Sequence, residues 1–172
     1  MLTNPTSAQI DSLTNPTPYD TFLGVSFYGL TFDNLTTTNV AFHECRMPDT
    51  MRSCVFNKGS FNGSDFSGSN FTGSVFVNCY FDFVQARYTE FSDCMFINCS
   101  FNRAHLFQCN FTRARFATCY FTVTDIISPW FFSTQLDANI FTSCVFREAD
   151  MQSVINNTST FNDGCRWINC NK

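Results

Sequence analysis

A large apolar residue returns every five positions through most of this chain, and this spacing constrains the fold more than any other feature. Residues 61–76, FNGSDFSGSNFTGSVF, show it clearly: Phe61, Phe66, Phe71 and Phe76 are separated almost entirely by Gly, Ser, Thr, Asn and Asp. An α-helix repeats its buried face about every 3.6 residues and a β-strand every 2. A period of five fits neither, so the chain must adopt a shape whose own unit is five residues long.

The period predicts the core. Every position at this spacing from residue 56 to residue 151 is apolar, in a chain that is 44% hydrophobic overall. We therefore expect these positions to point inward. The phenylalanines among them are Phe56, Phe61, Phe66, Phe71, Phe76, Phe81, Phe91, Phe96, Phe101, Phe111, Phe116, Phe121, Phe131, Phe141 and Phe146.

A second, smaller position lies two residues before each large one and is mostly Cys, Ser, Ala or Thr. Two inward side chains separated by two are strand-like, but a repeat of five reverses strand alternation. The chain must therefore turn a corner in every unit to keep both positions inside. Four units make a square coil of 20 residues, and successive coils stack as parallel strands about 4.8 Å apart. Stacking by 20 predicts one continuous interior ladder: Phe61, Phe81, Phe101, Phe121 and Phe141.

This pattern resembles the pentapeptide-repeat family, whose units read small, polar, Leu or Phe, polar, variable. The units CNFTR, CSFNR, SDFSG, SNFTG and CVFRE have this form. The resemblance implies an all-β fold, a right-handed quadrilateral parallel β-helix with short caps at both ends.

The chain divides into three parts by the quality of this repeat. Residues 1–19 carry LTNPT twice and are interpreted as an N-terminal capping segment or tail. Residues 20–151 are the β-helix, irregular to about residue 50 and regular over 51–151. Residues 152–172 are interpreted as a C-terminal cap, because solenoids need covered ends.

The repeat changes phase twice. It is displaced around RMPDT, where Pro48 indicates a turn or bulge. Near the C-terminus, Cys165 and Trp167 would restart it with a slip of one residue.

The chain has ten cysteines, and most of them occupy the small inward position. Free cysteine behaves as a small buried hydrophobe, so we expect reduced thiols in the core. Cys79, Cys99 and Cys119 recur at intervals of one coil, a spacing that also permits a strained disulfide between adjacent coils. The sequence contains no Cys-x-x-Cys, so we expect no metal site and no cofactor.

Catalytic groups are scarce, since the chain has two histidines. His43, Glu44 and Cys45 superficially offer a base, an acid and a nucleophile. Strand alternation places His43 and Cys45 on one side and Glu44 on the other, and Cys45 is better explained as an inward spacer. We interpret the chain as not an enzyme.

Charge and hydropathy exclude other classes of function. The net charge of −4 and the pI near 4.9 disfavour direct nucleic-acid binding. No apolar stretch approaches the roughly 18 residues of a membrane span, and no secretory leader opens the chain. We expect a cytoplasmic or otherwise intracellular protein, either monomeric or an end-to-end homodimer, with a protein partner.

The function must reside on outward-facing residues. Stacking by 20 places Tyr80, Tyr120 and Ile140 on one outer side, with Phe83 and Val123 near its corner, and Trp130 and Phe132 form a second aromatic pair. Exposed aromatic side chains on a rigid surface favour a protein partner. We therefore predict a structural or protein–protein interaction module, which could belong to a larger assembly, and these residues are its candidate partner-binding surface.

The alternative follows from the resemblance. Some pentapeptide-repeat proteins mimic duplex DNA, bind DNA gyrase or another topoisomerase, and protect it from quinolones or other poisons. Here Asp65, Asp125 and Glu148 share a face with Arg87 and Arg147, so no clean acidic stripe emerges. An unbroken register would also leave no room for the long loops of the plasmid-borne quinolone-resistance relatives. We rank DNA mimicry second.

Overall fold

The computed structural model describes residues 2–14, 19–122, 140–142, 145–147, 160–161, 164–168 and 170. Within them lie one helix and fourteen strands of two or three residues. They are α1 (Ser7–Thr14), β1 (Thr21–Leu23), β2 (Thr36–Thr38), β3 (Ala41–His43), β4 (Val55–Asn57), β5 (Val75–Val77), β6 (Gln85–Arg87), β7 (Met95–Ile97), β8 (His105–Phe107), β9 (Arg115–Ala117), β10 (Tyr120–Thr122), β11 (Ile140–Thr142), β12 (Val145–Arg147), β13 (Thr160–Phe161) and β14 (Arg166–Ile168). No helix among the described residues is long and apolar enough to cross a membrane.

All the strand pairs are parallel and join successive coils. The longest sheet has seven strands in the order β13-β11-β9-β7-β5-β4-β2. In its centre, Phe56 pairs with Phe76, Phe76 with Phe96, and Phe96 with Phe116, so partners are separated by four complete units. The predicted all-β fold is confirmed: the chain forms a parallel β-solenoid of about five turns in which each five-residue unit makes one side of a square.

Stacked phenylalanine rings fill the interior. The ring centroids of Phe81 and Phe101 are 4.8 Å apart with planes 7° apart, and Phe121 stacks on Phe101 at 4.8 Å. Rings on neighbouring sides of one coil meet edge to face, as Phe76 and Phe81 do at 73°. The predicted core residues with at most 1% of their surface exposed are Phe56, Phe61, Phe66, Phe71, Phe76, Phe81, Phe91, Phe96, Phe101, Phe111, Phe116 and Phe121.

A residue with positive φ forms a corner two positions after the central inward residue of each unit from Phe22 to Phe116, except after Met47. Gly63, Gly68 and Gly73 occupy three such corners, where glycine carries no steric penalty. Phe83 adopts the same conformation with φ of 60°, at a cost of about 1–2 kcal/mol. This corner breaks strand alternation and keeps both inward positions inside the coil.

The small inward position has a polar role as well as a steric one. The hydroxyl of Ser64 donates to the carbonyl of Phe42 at 2.8 Å and accepts from the amide of Cys45 at 3.0 Å. The thiol of Cys79 likewise donates to the carbonyl of Phe56 at 3.4 Å. Each of these side chains donates a hydrogen bond to a carbonyl of the preceding coil. This bond explains why Ser and Cys, as well as Ala, occupy the small inward position.

The first phase change is a shortened unit. Met47 and Met51 are both fully buried, although the spacing between them is one residue shorter than the repeat. Strand partners across this region are therefore separated by one residue fewer than four complete units, as Thr37 and Phe56 are. Pro48 lies inside the shortened unit, so the turn or bulge predicted there is a deletion of one residue from the repeat.

An additional five-residue unit contradicts the predicted ladder. Phe141 pairs with Phe116, and Phe146 pairs with Phe121, so these partners are separated by five units instead of four. The expectation that Phe141 stacks on Phe121 in an unbroken register of 20 is therefore wrong. The placement of Ile140 on one outer side with Tyr80 and Tyr120 is wrong for the same reason, because Ile140 pairs with Arg115 whereas Tyr120 pairs with Val145. The length of one additional unit lies between β10 and β11.

Part of the prediction falls outside the described residues. Val123, Trp130, Phe131 and Phe132 are not among them. Neither are the side chains of Ile140, Phe141 and Phe146, whose backbones form strands.

The two ends also have defined contacts. Helix α1 begins with a reciprocal pair of hydrogen bonds, in which the amide of Gln9 donates to Thr6 Oγ1 and the amide of Thr6 donates to Gln9 Oε1. Leu13 of α1 is fully buried against the core. At the other end, Phe146 pairs with Trp167, one position beyond four complete units, which confirms the predicted slip of one residue. The division into two caps and a β-helix stays a prediction that these contacts support.

Candidate partner-binding surface

One outer side of the solenoid carries two exposed tyrosines among small residues. We call it the Tyr80 side; β-bridges connect its outward column in the order Ala41, Ser60, Tyr80, Ser100 and Tyr120. Tyr80 is 54% exposed and Tyr120 50% exposed. Two coils separate them, a distance of about 9.6 Å at 4.8 Å per coil. Ser100, which lies between them in the column, is small and half-buried.

Phe83 occupies the corner of the same side and is 48% exposed. The guanidinium of Arg103, on the next coil, lies 5.4 Å from the centroid of its ring. Tyr88, one corner further along the chain, is also exposed and meets the ring of Phe107 edge to face at 6.1 Å. Tyr88 was not among the predicted surface residues, although it follows Phe83 by one five-residue unit.

A pocket of about 410 Å³ opens at the corner of the Tyr80 side. We call it the corner pocket, and it is lined by Leu23, His43, Glu44, Asn62, Gly63 and Phe83. It exists because Gly63 has no side chain between the larger corner residues Glu44 and Phe83. Sequence analysis could have located it by stacking the corner residues in register, but the shortened unit between Met47 and Met51 hides that register.

The three residues considered for catalysis do not form a catalytic group. Glu44 is a corner with φ of 52°, so Cys45 turns inward, where it is 1% exposed, while His43 stays on the outer surface with Nε2 2.9 Å from Ser60 Oγ. The prediction that His43 and Cys45 share a side is therefore wrong. Burial raises the pKa of the Cys45 thiol, which keeps it protonated and unreactive.

The other core cysteines are equally inert. The nine described cysteines are free thiols. Burial raises the pKa of Cys54 to about 11 and the pKa values of Cys94 and Cys109 to about 12. The thiolate is the nucleophile and metal ligand, so these groups favour neither chemistry at neutral pH. In the part of the chain that the structure describes, no group of three or more His, Cys, Asp or Glu could hold a metal ion.

Charges on the outer sides are paired between coils. Asp33 and Arg52 are 2.6 Å apart, Asp65 and Arg46 are 3.0 Å apart, and Asp93 and Arg113 are 2.6 Å apart. The two members of each pair come from adjacent coils. Each of the three carboxylates is neutralised by its arginine, so these residues do not contribute to a continuous acidic stripe.

The seven-stranded sheet presents an apolar outer face that the sequence analysis did not select. Its strands β4, β5 and β7 point Val55, Val75, Val77, Met95 and Ile97 outward, and all of them are half-buried. Apolar side chains paired across neighbouring strands stabilise a sheet. These residues cover one another along the stack, so we assign them a structural role.

The sequence comparison matches the middle of the chain to a family. The sequence model described as pentapeptide repeats matches in 8 copies, over residues 51–82, 74–113 and 87–122. Residues 51–122 are therefore a run of pentapeptide repeats, and proteins of that family are generally non-catalytic structural solenoids. No curated protein matches this chain significantly in sequence.

Comparison with solved structures supports the same fold. A trypsin-treated variant of QnrB1, a plasmid-mediated fluoroquinolone resistance protein, is 14% identical with a TM-score of 0.51, and the alignment covers 85% of this chain and 84% of that one. HetL, a pentapeptide repeat protein involved in heterocyst differentiation regulation from the cyanobacterium Nostoc sp. strain PCC 7120, is 8% identical with a TM-score of 0.24, with 96% and 92% covered. At this identity the likeness to QnrB1 shows the fold alone.

Proposed function

We propose that this protein is a non-catalytic interaction module that binds a protein partner through the Tyr80 side and its corner. The observation that carries the proposal is the group of exposed aromatic rings in this region: Tyr80, Phe83 and Tyr120. Tyrosine is enriched among the residues that dominate protein interfaces. The solenoid fixes the backbone positions of these residues, so binding a partner costs little free energy for ordering the backbone.

Site-specific photocrosslinking tests this proposal. A benzophenone amino acid is introduced at position 80 or 120 and, as a matched control, at position 19 or 28. Tyr19 and Tyr28 are 80% and 67% exposed near the N-terminal end of the solenoid. In extract of the source organism, positions 80 and 120 should give the same discrete adduct, and positions 19 and 28 should not.

Competition makes the test specific. Excess wild-type protein should suppress the adduct, while the double variant Tyr80→Ala, Tyr120→Ala should fold normally and fail to suppress it. The matched double variant Tyr19→Ala, Tyr28→Ala should compete as wild type does. Equal labelling at all four positions, or full competition by the Tyr80 and Tyr120 variant, would refute the proposal.

A gyrase assay separates the alternative. A topoisomerase-protecting DNA mimic should inhibit supercoiling or protect the enzyme from a quinolone at micromolar concentration. The ion pairs between coils argue against that activity, because they neutralise carboxylates that a DNA mimic needs. The sequence analysis also counted an unbroken register against DNA mimicry, and the additional unit between β10 and β11 weakens that objection. Inhibition or protection by the wild-type protein would reverse our ranking.

A further inference from the structure

The corner pocket combines apolar ends with an acidic wall. Leu23, which is 67% exposed, lies at one end, and the ring of Phe83 lies at the other. A Cβ atom added to Gly63 would lie 3.5 Å from Cγ of Glu44, so the glutamate side chain directly borders the space that the glycine leaves. Among the six lining residues Glu44 is the only carboxylate, and none is a lysine or arginine.

The ring of Phe83 already attracts a cation. Arg103 places its guanidinium 5.4 Å from the ring centroid, from the coil that follows Phe83. The other pocket residues come from the coils that precede Phe83, so the pocket lies on the other side of that corner along the solenoid. An aromatic ring and a carboxylate together stabilise a positive charge, and a long alkyl stem packs well on apolar surface.

We propose that the corner pocket binds a lysine or arginine side chain of a partner protein. The alkyl stem contacts Phe83 across Gly63, and the cationic head lies beside Glu44. A partner carboxylate at the same place would be repelled by Glu44. This inference rests on the proposed function, because it specifies what the partner presents to the corner of the Tyr80 side.

Small probes test the pocket without knowledge of the partner. The ¹⁵N-labelled protein is titrated with N-acetyl-arginine amide and, separately, with the uncharged N-acetyl-norleucine amide while amide chemical shifts are recorded. Arginine amide should give saturable shifts at Leu23, Glu44 and Gly63, with a millimolar dissociation constant. Glu44→Gln should weaken binding about fivefold, as expected for loss of an exposed ion pair. Norleucine amide should bind more weakly than arginine amide.

A matched pair of variants locates the site. Gly63→Asn fills the pocket with a residue that tolerates positive φ, and Gly68→Asn makes the same change at a corner with no atom within 4 Å of the new Cβ. Gly63→Asn should abolish the arginine shifts, and Gly68→Asn should leave them unchanged. Equal shifts with norleucine amide, shifts that never saturate, or unchanged binding by Gly63→Asn would overturn the inference.

The two proposals fail separately. A photocrosslinked partner together with a negative titration would refute the cationic specificity and leave the Tyr80 side as an interaction surface. A saturable titration without a crosslinked partner would support the pocket and refute the tyrosine surface.

Discussion

Two serines in equivalent positions of adjacent units should respond differently to the same substitution. Ser64 and Ser69 both occupy the small inward position and are at most 1% exposed. Ser64 Oγ bonds the carbonyl of Phe42 and the amide of Cys45. Ser69 Oγ is buried with no hydrogen-bond partner among the described residues.

The magnitude follows from the groups left without a partner. Ser64→Ala removes one atom and deprives two buried backbone groups, each of which costs about 1–3 kcal/mol when unsatisfied. We expect a loss of about 2–4 kcal/mol in the free energy of unfolding. Ser69→Ala removes a buried hydroxyl that makes no bond, so it should be neutral or slightly stabilising.

The measurement is equilibrium urea unfolding followed by far-ultraviolet circular dichroism, with an unchanged m value as the check that the transition is comparable. Ser64→Cys provides a rescue control, because Cys79 makes the corresponding bond with its thiol. It should retain more stability than Ser64→Ala. If Ser64→Ala and Ser69→Ala agree within about 0.5 kcal/mol, the polar role of the small position is refuted.

Three further perturbations test the rest of the structure. Phe101→Ala should lower the free energy of unfolding by about 3–5 kcal/mol, whereas the same truncation of exposed Phe83 should cost about 1 kcal/mol or less, by urea unfolding. Burial raises the pKa of the Cys94 thiol to about 12 in the folded protein. The stability that this pKa shift contributes is complete below the unfolded thiol pKa of about 8.5, and it is lost as the pH rises from there through the folded pKa. Stability measured from pH 8 to pH 10 should therefore fall less steeply in Cys94→Ala, and an equal slope would contradict this. Asp93→Asn should change stability by less than about 1 kcal/mol, since its ion pair with Arg113 is largely exposed, and a larger loss would show that cross-coil pairs hold the stack.

The period of five was sufficient to predict the coil, because each unit must place one large and one small side chain inside. It located a displacement around RMPDT, but it could not reveal that a single residue is missing there, nor where a whole unit is added. Met47 and Met51 are both apolar, so either phase satisfies the pattern. Leu136 likewise continues the period between β10 and β11, so no break in the pattern marks the additional unit.

The candidate surface was predictable only in part. The outward direction of Tyr80 and Tyr120 follows from their place next to a buried phenylalanine. The corner pocket does not, because it joins residues of four coils across the shortened unit, and Gly63 contributes by lacking a side chain. The opposite directions of His43 and Cys45 also depend on the corner at Glu44, which strand alternation ignores.

The sequence by itself determined the unit, the square coil and the identity of the core, since one large and one small inward side chain in every five residues require a corner in each unit. The tertiary structure alone decided that the displacement near RMPDT is the loss of one residue and that a whole unit is gained between β10 and β11, because that register depends on hydrogen bonds between coils. It also decided which outward residues become neighbours. The interior therefore follows from local pattern, whereas the binding surface depends on how the coils are aligned.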